Sequence, residues 1–170
     1  YQFIEDRMRG YFTDRGASMS ACNAAISSES RSPSDIALRI KALESFQNLA
    51  EAKDLVAANK RIANILKKNS AAITSTEIRE ELLQESSEIS LDLHYKDVSI
   101  TAQRLYESRE YGRYLIEIAS FRTITDDFFD NVKVICDDKI ITSNRLSLLN
   151  RLHLLFSRVG DLSLLNYAEK

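Results

Sequence analysis

Apolar positions recur at helical spacing through nearly the whole chain, and no strand-like alternation of useful length survives. Residues 2 to about 9 carry Phe3, Ile4 and Met8, continued by Tyr11 and Phe12, as one apolar stripe. Ile36, Leu38, Ile40, Leu43 and Phe46 repeat the pattern from residue 36 to about 48. Residues 51–68 are rich in Ala, Leu and Lys, side chains that lose little freedom in a helix. A long helical pattern follows from residue 86 to about 109, then another over 111–121. A last one runs from about 140 to 159 and is stopped by Gly160. The expected fold class is all-α: a single helical-bundle domain over residues 1–170, without internal repeats.

The breaks between helices are polar. Five of the eight residues 27–34 are serine, with Pro33 among them, so 27–34 reads as a loop and Ser34 as the N-cap of the next helix. A second loop spans 69–75, and Thr74-Ser75-Thr76-Glu77 has the pattern of a capping box. Thr123 or Thr125 is placed to cap a short helix carrying Asp126, Asp127, Phe128, Phe129 and Asp130, with its carboxylates favourable near the positive end of the helix dipole.

Composition agrees with a helical domain. Of 170 residues only four are Gly and one is Pro, too few to turn a strand-rich chain. Cys22 and Cys136 lack any zinc-site or disulfide spacing. No apolar run approaches the roughly 18 residues that a membrane span needs. The chain begins with Tyr1 and not Met, as a fragment of a longer cytoplasmic protein would.

Net charge is −2, which excludes a uniformly basic nucleic-acid binder but not a basic patch. Such a patch exists on residues 53–68, where Lys53, Lys60, Arg61, Lys67 and Lys68 oppose a single acid, Asp54. At 100° per residue, Lys53, Lys60, Asn64 and Lys67 fall in one narrow stripe with Arg61 and Lys68 beside it, opposite Leu55, Ala58, Ile62, Ile65 and Leu66. A cationic ladder with an amide suits phosphates and a base or ribose edge; the alternative is a merely solvated face. Asn59, at the edge of the apolar side, reads as a buried structural amide.

Residues 139–160 hold Lys139, Arg145, Arg151 and Arg158 and no acid. Arg145 falls within the apolar sector and needs a counter-ion, for which Asp127 or Asp130 is the expected structural partner. Residues 76–92 are acidic and are expected to face solvent or a basic partner, away from phosphate. Catalytic constellations are nearly absent: His94 and His153 have no nucleophile beside them, the glycines are isolated, and the aspartates lack a metal-loop spacing. No catalytic residue, metal or cofactor is expected in this chain.

Five strings, in order and at matching spacing, resemble the C-terminal region of the β subunit of bacterial-type glycyl-tRNA synthetase. They are Phe3-Ile4-Glu5-Asp6-Arg7-Met8-Arg9; Ala58-Asn59-Lys60-Arg61-Ile62-Ala63-Asn64-Ile65-Leu66; Asp127-Phe128-Phe129-Asp130-Asn131-Val132-Lys133-Val134; Asn144-Arg145-Leu146-Ser147-Leu148-Leu149; and Asp161-Leu162-Ser163-Leu164-Leu165. Residues 69–96 match least.

The resemblance implies a DALR-like anticodon-binding domain, of the type shared with arginyl-tRNA synthetase, that grips the anticodon arm of tRNA(Gly). It implies a bacterial cytoplasmic enzyme in which an α subunit, or a fused α region, handles glycine and ATP with Mg2+. Neither membrane nor DNA is expected as a partner. Lys60, Arg61 and Asn64 lie inside a family string and become candidate RNA contacts; Arg7 and Arg9 follow from the opening string, and Lys67 and Lys68 from their place on the helix. Phe128 reads as core. The competing function is a helical subunit-assembly module, docking through its acidic stretch and the apolar ends Phe3/Tyr11 and Leu164/Leu165.

Overall fold

The computed structural model describes residues 2–28, 30, 32–72 and 77–167, and among these it contains eight α-helices, three short 3₁₀ turns and no strand. The helices are α1 (Gln2–Thr13), α2 (Met19–Ile26), α3 (Pro33–Gln47), α4 (Ala52–Lys68), α5 (Ser86–Glu107), α6 (Tyr111–Ala119), α7 (Phe121–Asn131) and α8 (Lys139–Ser157). All eight contribute to one hydrophobic cluster, so the chain is an all-α bundle. In its middle lies α8, whose buried residues run almost without interruption from Asn144 to Leu149 and on to Phe156. Helix α4 packs on α7 and α8, α5 on α6, α7 and α8, and α3 on α2 and α6.

Local chemistry explains most boundaries. Pro33 opens α3 at the first helical position, where its missing N–H costs nothing, so the N-cap is Ser32 and not Ser34. Asp138 accepts from the Ile140 and Ile141 amides and caps α8. The proposed cap at Thr74-Ser75-Thr76 lies outside the described residues, as do Glu29 and Arg31 of the serine loop.

Three elements depart from the periodicity. Helix α2 is invisible to it, because Ala21, Ala24 and Ala25 form its buried face with Cys22 and Ile26. Ser18 caps it by accepting from the Ala21 amide. Helix α7 starts at Phe121, with Ser120 serving as both the end of α6 and the start of α7. Thr123 and Thr125 are therefore interior residues and not caps, and Asp126, Asp127 and Asp130 lie beyond the first turn, so the dipole does not account for them. What sets the start is Phe121, fully buried and edge-on to Phe156 at 5.4 Å.

Gly160 stops α8 for a reason other than a left-handed cap. A Cβ there would sit 2.5 Å from the Ala24 carbonyl oxygen and 3.0 Å from Leu43 Cδ1. The chain passes so close to α2 that the next amide, of Asp161, donates to Ala24 O at 3.0 Å. Small residues on α2 and glycine at 160 are two halves of one close approach.

A buried polar network ties α3 to the end of α8. Arg39 donates to Asp35 Oδ2 at 2.7 Å, to the carbonyls of Arg158 and Val159 at 2.8 and 2.9 Å, and to the hydroxyls of Tyr106 and Tyr111. Tyr111 donates in turn to Asp35 Oδ1 at 2.7 Å. Burial alone would raise the Asp35 pKa, but the donors Arg39 and Tyr111 outweigh it and hold the carboxyl at about 2. The Tyr111 hydroxyl is pushed up to about 12, chiefly by burial and then by Asp35.

Candidate nucleic-acid interface

Helix α4 buries Ala52, Leu55, Val56, Ala58, Asn59, Ile62 and Leu66 against α7 and α8. The opposite side must then face water, and Lys53, Lys60, Arg61, Asn64, Lys67 and Lys68 are all exposed. From Lys53 to Lys67 the stripe extends about 21 Å along the helix at 1.5 Å per residue. Its one acid, Asp54, is spoken for: Arg122 Nε of α7 lies 2.7 Å from Asp54 Oδ2. The positive field of the stripe is therefore largely uncompensated by α4 itself.

Arg61 is distinguished from the lysines by what lies beneath it. Its guanidinium sits over the ring of Phe129 of α7, 4.0 Å from the centroid. Phe129 is partly buried and edge-on to Phe128, which is fully buried core. Asp54, Ala57, Ala58, Arg61, Arg122, Asp126 and Phe129 together line a cleft of about 360 Å³ between α4 and α7. Arg122 was absent from the candidate residues. Its signal was the i, i+4, i+7 spacing of Arg122, Asp126 and Phe129, which places them on one face once α7 starts at Phe121.

Asn59 is buried beneath the stripe. Its Oδ1 lies 3.0 Å from His153 Nδ1 of α8, while its Nδ2 has no partner among the described residues. Burial lowers the His153 pKa, so the ring is neutral and packing in character. His94 is 2.9 Å from the Ser120 hydroxyl, which donates to the Glu117 carbonyl in ending α6, and is edge-on to Phe121.

Arg7 and Arg9 are not brought to α4. Helix α1 packs principally on α2. Arg9 donates to Asn23 Oδ1 at 2.7 Å and pairs with Asp6 at 2.6 Å, holding α1 to α2. Arg7 is exposed with its guanidinium 5.7 Å from the Phe3 ring centroid.

The Arg145 pairing is corrected. Its partner is Glu88 of α5, fully buried, with Nε to Oε1 at 2.8 Å and Nη2 to Oε2 at 3.1 Å, and not Asp127 or Asp130. Asp127 instead accepts from its neighbour Asn131 on the exposed side of α7, and Asp130 is not buried. The reason is register: Arg145 points to the start of α5, where Glu88 also accepts from the Gln84 and Glu85 amides.

The acidic stretch is corrected in part, since Glu77, Glu80, Glu81 and Glu85 are exposed as expected. Glu88 and Asp92 are buried, and Asp92 pairs with Arg151 at 3.3 Å and Lys96 at 2.6 Å. These acids are internal counter-ions for α8, whose lack of acids they explain. Leu165 is likewise buried, while Leu164 is exposed.

Among the described residues no group of three or more His, Cys, Asp or Glu converges on a metal position. No helix of the described residues is long and apolar enough to cross a membrane.

Residues 55–166, which take in the buried and cationic faces of α4 together with α7 and α8, match the DALR anticodon binding domain. The glycine–tRNA ligase beta subunit of Coxiella burnetii (strain RSA 493 / Nine Mile phase I) is 39% identical over 166 residues, covering 98% of this chain and 24% of the relative. That of Ralstonia nicotianae is 39% identical over 164 residues, covering 95% and 23%, and that of Salmonella typhi 37% over 163, covering 96% and 24%. The chain thus spans about a quarter of the length of the relatives it matches. With its matched residues building both the exposed cationic helix and the core behind it, the chain belongs to the DALR anticodon binding domain family.

Proposed function

We propose that this chain grips the anticodon arm of tRNA(Gly) and so serves a glycine–tRNA ligase, without itself carrying out chemistry. One observation carries the reading: a family-matched helix presents Lys60, Arg61, Asn64, Lys67 and Lys68 on a single exposed face while its other face is fully committed to the core. Cations on such a rigid face hold phosphates, and Asn64 and Arg61 have the donors and planar surface that unstacked bases take. Binding energy gathered here selects and places a tRNA whose acceptor end reacts elsewhere. In this proposal glycine, ATP and Mg2+ belong to a catalytic α subunit or fused α region, and the setting is the bacterial cytoplasm. The relatives' names support the amino acid assigned.

The test is a binding titration of the chain with a tRNA(Gly) transcript at two salt concentrations, beside a transcript altered only in the anticodon. Expected is affinity that falls steeply with salt and falls again with the altered anticodon. Absence of binding at low salt would sink the proposal.

A second reading, a subunit-assembly surface, has its own observation. Phe3, Ile4 and Tyr11 stand exposed on α1 and, with Met8 and Pro33, line an apolar groove of about 450 Å³. Substituting Phe3 and Tyr11 should then alter assembly and leave tRNA binding unchanged.

A further inference from the structure

The cleft between α4 and α7, which shares Arg61 with the cationic stripe, adds an acid and a second arginine to that stripe. We infer that it takes one unstacked cytosine of the anticodon, stacked on the Arg61 guanidinium and read at its edge by Asp126 and Arg122; this rests on the tRNA(Gly) reading above.

Three observations converge. First, the Arg61 guanidinium lies over the Phe129 ring, 4.0 Å from its centroid, so the ring favours one placement of the cation before any base arrives. A guanidinium plane is a recognised stacking surface for single-stranded bases, and ordering it beforehand removes part of the entropic cost of binding. Second, the cleft beside it, at about 360 Å³, falls in the usual range for small-molecule sites, with Ala57 and Ala58 leaving space on the α4 side. Third, its polar rim carries both signs. Arg122 is oriented by Asp54 at 2.7 Å, while Asp126 is exposed and has neither a hydrogen-bond nor an ion-pair partner among the described residues. An acid beside Arg61 and Arg122 opposes phosphate binding but can accept from a base amine.

The identity of the base follows from its chemistry. Every glycine codon begins with two guanines, so tRNA(Gly) presents cytosine at the middle and last anticodon positions by base pairing. Cytosine offers an amine donor at N4 and acceptors at N3 and O2. A carboxylate accepts the first and a guanidinium donates to the others. Uracil puts a carbonyl where the amine was and would face Asp126 oxygen to oxygen.

The experiment uses the full chain, three transcripts and two variants. The transcripts are tRNA(Gly) and two versions in which the middle or the last anticodon cytosine is replaced by uracil. The variants are Asp126→Asn, on an exposed side chain, and Phe129→Leu, which keeps an apolar residue but removes the ring beneath Arg61. For the unaltered chain, at least one uracil transcript should bind about tenfold more weakly. Asp126→Asn should strengthen binding of that uracil transcript selectively, bringing the ratio near one. A carboxylate that merely repels RNA would instead strengthen all three equally when removed, which would overturn the inference. Phe129→Leu should weaken the natural transcript about tenfold with its salt slope unchanged, because no charge is lost. If both variants keep the selectivity of the unaltered chain, anticodon reading stands and the cleft does not perform it. If the unaltered chain binds all three transcripts equally, the inference fails while the phosphate grip survives. Should Phe129→Leu fail to fold, Asp126→Asn decides alone.

Discussion

Glu88 is wholly buried, and three donors meet it: Arg145 and the amides of Gln84 and Glu85. Removing Arg145 would strand its charge away from water. Arg145→Ala is therefore expected to destabilise the fold by about 3–5 kcal/mol in chemical denaturation. Asp127→Asn and Asp130→Asn, on the outer side of α7, should each change it by less than about 0.5 kcal/mol. Gly160 makes a similar prediction through sterics. The Ala24 carbonyl is backbone and cannot swing aside, so Gly160→Ala should cost on the order of 1–3 kcal/mol or more, read as a fall in Tm. Asp35 predicts a pH dependence. Its carboxyl is held at about 2 in the fold, below its ordinary 3.8, so its contribution is complete above pH 4 and is lost as the pH falls toward 2. Denaturation midpoints of the native chain and of Asp35→Asn should converge across that interval.

Helices α4 and α8 are both cationic in sequence, yet their charges have opposite fates. On α4 the lysines stand in water, and only Asp54 among its residues has an acid's charge to offset them. On α8, Arg145 and Arg151 are turned inward to Glu88 and Asp92, and Arg151 also lies 4.0 Å from the Tyr95 ring centroid. A net basic helix is thus no guide to a ligand until its counter-ions are located. Lys60→Ala should lower tRNA affinity equally for natural and altered anticodons and reduce the salt slope by about 1. Arg151→Ala should instead reduce stability and leave the salt slope alone.

For the molecule as a whole, the same charge segregation reconciles a net charge of −2 with a cationic surface. Glu88 and Asp92 are spent inside the bundle against α8, the other acids of residues 77–85 stay exposed, and α4 keeps its excess for the outside. The helix class, the extents of α4, α5 and α8, and the direction in which α4 faces were legible in the sequence, because long amphipathic helices write their burial into a 3.6-residue period. Helix α2 was not legible, since alanine and cysteine bury without producing that signal. Nor was the start of α7, where a turn at Ser120 needs neither glycine nor proline. The exposed lysines of α4 could be named from one helix alone. Arg145 with Glu88, Arg39 with Asp35, Tyr106 and Tyr111, and Arg61 on Phe129 could not, except for the neighbouring Asp35. Their partners are mostly far along the chain, and only the packing of one helix on another decides which distant charge or ring a side chain meets.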